Sequence, residues 1–588
     1  MQYKTQSTGT KTSNPLPSAL FFVKMMVSMP LKQLKSAIEE KLAKIEREAE
    51  ERDAKRRALK SGYPYIDLKL APVQVDTLSM VPKEEAREAK LAVLARKRDK
   101  MVVAVYDPTL AATQKVIKKL VDQTKNVNVV IGSLSGLKHI WQYYELAKKE
   151  LSEITGKVEI NEKRLYELLG QLISLAAAEK TLREAVGAKA NLSQVLEILL
   201  ASALSLRGSD IHFEPEEKGV RFRLRIDGLL HDVFTGLPHA DYFFILSRIK
   251  LLSAMKLNIH DAAQDGRFSI GLGAKTIEIR SSVLPSKHGE TVVLRILDPE
   301  TIKLSLGELG LRDDDLVLLN EELRRPNGMI LNTGPTGSGK TTTLYAFLMQ
   351  VNKPESKVIT LEDPIEYRLP GIEQTQVDKE AGYTFANGLR SIVRQDPDVI
   401  LVGEIRDFET AEIALNAALT GHLVFSTLHT NDSFGAIPRL IDLGAKSAII
   451  GPSLNLVIAQ RLIRRICEKC KKETTSSKEL QDNIRAFLKK MPPRVPRARY
   501  EKYTIYSHGS CEACNGIGYK GRIAVLELLR VTDEINQLIS KEVTEIEIKK
   551  VAVGQGVLTV QQSGILKVLE GVSTFEEVER VTGPISWQ

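Results

Sequence analysis

Cysteine is scarce in this chain: four residues in 588, all between Cys467 and Cys514. A disulfide framework running through the molecule is thereby excluded. Long apolar runs are missing as well. No stretch approaches the ~18 residues that a membrane-spanning helix requires. The nearest, Ala19-Leu20-Phe21-Phe22-Val23-Lys24-Met25-Met26-Val27, is short and interrupted by a lysine. It also lacks a small-residue cleavage site, which argues against a secretory signal, and Met29 is a second possible start. Nor is there a charge excess that names a partner. A net charge of +9 over this length suits an anionic lipid surface, nucleic acid or a bound polyanionic nucleotide equally well. Length does demand several cores, because single cores rarely grow past ~250 residues, and about three to five domains are expected.

What is present centres on Gly334-Pro335-Thr336-Gly337-Ser338-Gly339-Lys340-Thr341-Thr342, preceded by apolar Met329-Ile330-Leu331 and followed by a helical pattern. Strand, glycine-rich turn and helix start make a phosphate cradle. Successive backbone N–H groups converge on a polyphosphate, and the helix N-terminus adds partial positive charge. Lys340 is placed to reach the β and γ oxygens and Thr341 to offer its hydroxyl to Mg²⁺, while the glycines admit oxygen atoms that a Cβ would block. The pattern predicts a nucleoside triphosphate site.

Three apolar runs downstream read as core strands, each delivering polar residues at its C-terminal end. Lys357-Val358-Ile359-Thr360-Leu361 leads to Glu362 and Asp363, Asp398-Val399-Ile400-Leu401-Val402 to Glu404, and Leu423-Val424-Phe425 to His429. In open α/β sheets that end of the strands holds the ligand. A carboxylate in the position of Glu404 can organise Mg²⁺, directly or through water, or the attacking water. His429 stands where a γ-phosphate sensor belongs.

Upstream, Val220-Arg221-Phe222-Arg223-Leu224-Arg225-Ile226 alternates strictly, and Asp227-Gly228 makes a turn. Further strands are expected at Gln264 to Phe268, Ile277 to Arg280 and Val292 to Leu297, giving a β-rich domain with one basic face. Those arginines either form a solvated face or reach a nucleotide. Nearer the start, Leu31, Leu34, Ile38, Leu42, Ile45 and Ala49 recur at helical spacing, read as a solvated arm rather than a docking helix, after a terminus (residues 1–30) expected to be disordered. Strands at Met101 to Tyr106 and Val127 to Ile131, with helices at Leu110 to Asp122 and Leu137 to Leu146, predict a small α/β domain for partner binding. Residues 147–188 suit a helical spacer.

Cys467, Cys470, Cys511 and Cys514 form two C-x-x-C pairs, enough thiolates for a closed tetrahedral Zn²⁺ site, with a redox pair as the alternative. The lysine- and arginine-rich stretch between them, carrying Pro492, Pro493 and Pro496, is expected to be an exposed excursion pinned at its base. Short helical patterns close the chain.

Taken together, the phosphate loop, E-D-P-I-E-Y (Glu362 to Tyr367), V-G-E-I-R-D (Val402 to Asp407) and S-T-L-H-T-N-D (Ser426 to Asp432) resemble the secretion ATPase family of P-loop NTPases that drives type II secretion and type IV pilus assembly. The likeness extends back through S-D-I-H-F-E-P, R-I-D-G, Q-D-G-R and L-P-S-K-H-G-E, and forward through both C-x-x-C pairs and G-Y-K-G-R (Gly518 to Arg522). Residues 61–146 resemble that family's amino-terminal module more loosely. At Gln561-Gln562-Ser563-Gly564 the chain departs from the family pattern, where an acidic residue often precedes the glycine.

The resemblance implies an α/β chain in which a RecA-like ATPase domain (306–465) follows a β-rich domain closing over nucleotide (189–305), a helical linker (147–188) and an amino-terminal partner-binding domain (61–146); the tail with its charged helix (1–60) has no counterpart in it. A tetracysteine zinc module (466–530) and a helical end-piece (531–588) complete the chain. It implies ATP, Mg²⁺ and Zn²⁺. Arg280 and Arg295 would approach the phosphates, and Arg390 and Arg394 would lie at subunit contacts of a homo-oligomer, a hexamer. A guanidinium suits both tasks, since it binds phosphate oxygens in two places and spreads its charge over the transition state. The implied machine is cytoplasmic and peripheral to the inner membrane. It acts with a platform protein, an adaptor and a prepilin or pseudopilin system. A ring that translocates nucleic acid, or a pilus-retraction motor, is the alternative; the zinc and amino-terminal modules speak against both.

Overall fold

Apolar runs without alternation need cover on both faces, whereas alternating runs need it on one. Both kinds of sheet are present in the computed structural model, which describes residues 31–587 except 69–70, 72–74, 79, 98–99, 125, 145–156, 159–161, 188–192, 274, 303–304 and 543. The tail before residue 31, read as disordered, lies outside the described residues. The chain divides into two compact units, one built from residues up to 155 together with 255–262, the other from 156–254 and 263–588.

In the first unit β1 (Leu91–Lys97), β2 (Lys100–Val105) and β3 (Asn126–Ile131) form a sheet in that order, antiparallel and then parallel. Helices Ala111–Gln123 and Leu134–Gln142 flank it; β1 and the short helices Val75–Leu78 and Lys83–Glu88 were not expected from the sequence. The helix Leu31–Ser61 is not solvated along its whole length. Ala54 and Ala58 are buried, and Glu51 accepts from the Ser133 hydroxyl at 2.7 Å while Glu50 accepts from the Ser135 N–H at 2.8 Å. The two carboxylates thus meet the first turn of Leu134–Gln142, where N–H groups have no intrahelical partner.

The second unit holds two seven-stranded sheets. One comprises β4 (Lys157–Val158), β5 (Gly208–Glu216), β6 (Gly219–Ile226), β7 (Leu229–Leu237), β8 (Gln264–Leu272), β9 (Lys275–Ser286) and β10 (Gly289–Leu297), in the order β4-β8-β9-β10-β5-β6-β7. Every pairing but β4–β8 is antiparallel. Val220, Phe222, Leu224 and Ile226 of β6 are buried and its three arginines take the other face, as alternation requires. Helices Glu162–Gln171 and Leu175–Gly187, read as a spacer, are instead packed: Leu165, Leu168, Ala178 and Leu182 are buried, against Ser193–Ser205 and β7.

The other sheet contains β11 (Gly328–Thr333), β12 (Val358–Glu362), β13 (Glu373–Gln376), β14 (Val399–Val402), β15 (Leu423–Leu428), β16 (Leu454–Ile466) and β19 (Tyr519–Arg530). Their order is β13-β12-β14-β15-β11-β16-β19, all parallel except β16–β19. Each central strand feeds two cores by turns. Met329, Leu331, Ile400 and Val402 face the helices Phe385–Val393, Phe408–Leu419 and Ala436–Asp442, while Ile330, Val399, Leu401 and Phe425 face Asp313–Leu323 and Lys340–Val351.

Between β16 and β19 lies the cysteine-bounded excursion, with a small pair β17 (Lys472–Glu473) and β18 (Tyr506–Ser507) near its base. It was expected to be exposed, and it is not. Ile484 and Phe487 of helix Lys478–Lys490, with Met491, Val495, Tyr500 and Ile505, pack on Leu558, Ile565, Leu566 and Leu569 of the closing helices. The prolines shape a segment with its own apolar core.

Candidate functional site

Because β11, β12, β14 and β15 run parallel, their C-terminal ends open on one edge of the sheet, and the segments leaving those strands meet there. After β11 the chain turns at Gly334 (φ 147°), Gly337 (φ 80°) and Gly339 (φ 88°), then enters helix Lys340–Val351. These left-handed conformations disfavour any residue with a Cβ. At Gly334 crowding adds to conformation: a Cβ would sit 2.5 Å from the Gln460 carbonyl oxygen. The Ser338 hydroxyl is buried and has no hydrogen-bond partner among the described residues, a donor facing the loop. Lys340 donates to the carbonyls of Gly334 (2.7 Å) and Pro335 (3.1 Å). Burial, helped by the Arg461 charge, pushes its pKa down, and the nearby Glu404 carboxylate partly offsets this. Thr341 is exposed and Thr342 half-buried in the first helical turn. Loop, lysine and hydroxyl therefore fit a triphosphate with its Mg²⁺.

The two carboxylates differ in their surroundings. Glu362 is buried and accepts from Thr360 (2.7 Å), Gln374 (3.1 Å) and the Tyr345 hydroxyl; burial pushes its pKa up although those donors oppose it. Glu404 has one oxygen 2.6 Å from Arg406 and the other 3.6 Å from His429 Nε2. It is the carboxylate that the fold brings beside both His429 and Lys340. The next acidic residue of that motif, Asp407, serves as an N-cap, accepting from the Thr410 N–H at 2.8 Å.

The arginines are dispersed. Arg280 of β9 and Arg295 of β10 are directly opposed across the strands. Like charges in that position repel, and each has an anionic or carbonyl partner. Arg280 donates to the Ile365 carbonyl (2.7 Å) and pairs with Glu366 (3.1 Å), so it touches the acidic box, while Arg295 pairs with Asp210 at 3.0 Å within its own sheet. Arg390 and Arg394 are exposed on and after helix Phe385–Val393, where Arg390 pairs with Glu409 and Arg394 donates to Ser391. Sequence reasoning missed Gln460 and Arg461, on β16 beside the loop. Their signal was weak, since a Gln-Arg pair inside an apolar run looks like the end of a strand.

Far apart in sequence, the two C-x-x-C knuckles meet in space. The Sγ separations are 3.8 Å for Cys467–Cys511, 3.7 Å for Cys470–Cys514 and 3.6 Å for Cys511–Cys514, and all four sulfurs lie within 4.8 Å of one another. A disulfide needs about 2.05 Å. Four sulfurs arranged tetrahedrally at about 2.3 Å from zinc lie about 3.8 Å apart, so the donor set fits that ion. Close approach of the knuckles depends on glycine: a Cβ at Gly509 would fall 2.1 Å from the Cys470 carbonyl oxygen.

Residues 185–580, more than half of the chain, match the family described as Type II/IV secretion system protein, and residues 61–151 match the MshEN domain. The chain is 38% identical over 525 residues to the type IV pilus assembly ATPase PilB of Myxococcus xanthus, with 89% of each chain covered. It is 45% identical over 390 residues to the type II secretion system protein E of Pseudomonas aeruginosa, covering 66% of this chain and 75% of that one. Among solved structures it is similar to the pilus retraction motor PilT with bound ADP, at 29% identity and a TM-score of 0.45, covering 66% of this chain and 96% of that one.

Proposed function

The chain belongs to the Type II/IV secretion system protein family, and from that membership we propose that it is a hexameric ATPase. In this reading it couples ATP hydrolysis to motion of an inner-membrane platform protein, powering pilus assembly or type II secretion with an adaptor and a prepilin or pseudopilin system. One observation carries the reading: Lys340 of the phosphate loop, Glu404 and His429 share the C-terminal edge of one parallel sheet. Lys340 would bind phosphate oxygens, Thr341 would hold Mg²⁺, and Glu404 and Glu362 would divide between them the organisation of that ion and the orientation of the attacking water. Held there, Mg²⁺ would supply neutralisation of the charge that develops on the transferred phosphoryl group.

Arg280 and Arg295 would leave their present partners for phosphate as the β-rich domain closes, and the exposed Arg390 and Arg394 would meet a neighbouring subunit. Cys467, Cys470, Cys511 and Cys514 would hold one structural Zn²⁺. The chain would work at the cytoplasmic face of the inner membrane. Purified protein should hydrolyse ATP in the presence of Mg²⁺, and Lys340→Ala should lose both nucleotide binding and turnover. Binding and hydrolysis unchanged in that variant would overturn the reading.

A further inference from the structure

Resting on the reading that this sheet edge hydrolyses ATP, we propose that Arg461 is a positioning residue for the reaction: its guanidinium holds the segment carrying His429 against the root of the phosphate loop. Arg461 lies on β16, which pairs with β11 in a register that sets Ala459 beside Thr333. Two residues further on, its side chain emerges at the sheet edge next to Gly334. The contact is close, since a Cβ on Gly334 would lie 3.2 Å from Arg461 Nη1. From there the guanidinium donates to the Gln460 carbonyl (3.1 Å) and, through Nη2, to the Asn431 carbonyl (2.7 Å).

Asn431 is two residues past His429, and its neighbours are pinned too. The Thr430 N–H donates to the Thr333 hydroxyl at 2.8 Å, and the two hydroxyls are 2.6 Å apart. The Ser433 N–H and hydroxyl both donate to buried Glu527, at 2.7 and 2.6 Å, and the same carboxylate accepts from the Val560 N–H at 3.3 Å. The main chain after His429 is thus held at three points, while the imidazole itself stays 54% exposed beside Glu404. Of the three, only Arg461 brings positive charge to the nucleotide edge. Burial pushes its pKa down while Glu527 and Asp432 oppose that, and its own charge depresses Lys340.

Arg461 therefore exerts two separable effects. Its charge attracts phosphate in the ground state and the transition state alike, which changes affinity. Its bond to Asn431 places His429, which counts at turnover. Lysine retains the charge but lacks the planar fork that spans two carbonyls.

The test uses the full chain carrying Arg461→Lys, Arg461→Ala, His429→Ala and the double variant Arg461→Lys/His429→Ala, with ATP binding and steady-state hydrolysis measured for each. Arg461→Lys should keep ATP affinity within about twofold and lower kcat about tenfold, while Arg461→Ala should lose both. In the His429→Ala background Arg461→Lys should cost no more than about twofold further, because the group that it positions is gone. Turnover of Arg461→Lys within about twofold of wild type, or a full additional tenfold loss on top of His429→Ala, would overturn the proposal. If Arg461→Ala fails to fold, the lysine variant and its double carry the test alone. A wild-type chain without hydrolysis would overturn the proposed function itself, whereas active wild type with an unaffected lysine variant would sink this inference only.

Discussion

The second unit contains two sheets of seven strands each, and they put polar residues to opposite uses. In the parallel sheet successive strands end on the same edge, so Gly334, Glu362, Glu404 and His429 collect there although almost 100 residues separate the first from the last. In the antiparallel sheet neighbouring strand ends point in opposite directions, and charge is instead laid across the strands in rows. Arg267, Arg280 and Arg295 are directly opposed in one such row, followed by Asp210 and Arg225. Strand direction decides whether polar residues form a pocket or a face. The parallel arrangement builds chemistry at an edge, and the antiparallel one presents a charged surface to whatever closes on it.

The largest expected effect tests the one antiparallel pair within the mostly parallel sheet, β16–β19, whose connection carries the four clustered thiols. Structural zinc binding in small modules is worth about 10–16 kcal/mol of apparent free energy. Cys467→Ser should therefore lose the metal and make residues 466–530 sensitive to proteolysis. Metal analysis should find one zinc per wild-type chain, and a value well below one would refute the site.

Next comes burial. Val399, Ile400, Leu401 and Val402 are all buried because both sheet faces are covered, so Ile400→Ala and Leu401→Ala should each cost about 2–5 kcal/mol. In β6 only alternate positions should behave so. Leu224→Ala should match those losses, while Arg221→Ala, on the exposed face and paired with Asp232 at 2.7 Å, should cost no more than about 1 kcal/mol. Thermal unfolding of the four variants compares the sheets directly, and equal losses at Arg221 and Leu224 would break the contrast.

A further pair of predictions separates edge from face in catalysis. Glu404→Gln keeps the loop and Lys340 intact, so it should still bind ATP while kcat falls about 10²-fold or more. If Arg280 and Arg295 reach phosphate as proposed, Arg280→Ala and Arg295→Ala should each lower kcat about tenfold with little change in affinity. Binding and hydrolysis assayed side by side decide this. Near-normal turnover in Glu404→Gln, or in both arginine variants, would assign the chemistry elsewhere.

Much of the mostly parallel sheet was legible in the sequence because its signals are local. A phosphate loop needs glycines and a lysine at short fixed spacing, buried parallel strands are short apolar runs between turns, and paired C-x-x-C knuckles carry their spacing with them. Alternation in β6 told its faces apart for the same reason. Local pattern could not tell that helices Glu162–Gln171 and Leu175–Gly187 are packed rather than free. The excursion around Ile484 and Phe487 was obscured in the same way, because its lysines and prolines masked a few apolar residues that find partners more than 70 residues away.

By itself, then, the sequence determined where phosphate, metal and thiol chemistry is possible and which strands carry it, because each rests on residue types at short fixed spacing. Tertiary structure alone decided how those residues differ in use. Glu362 is buried among three donors and Glu404 faces His429. Arg280 reaches the acidic box while Arg295 stays with Asp210. Arg461, unremarked within an apolar strand, sits at the root of the phosphate loop. Such differences come from contacts between residues tens to hundreds of positions apart, and distance, burial and partner exist only once the chain has closed on itself.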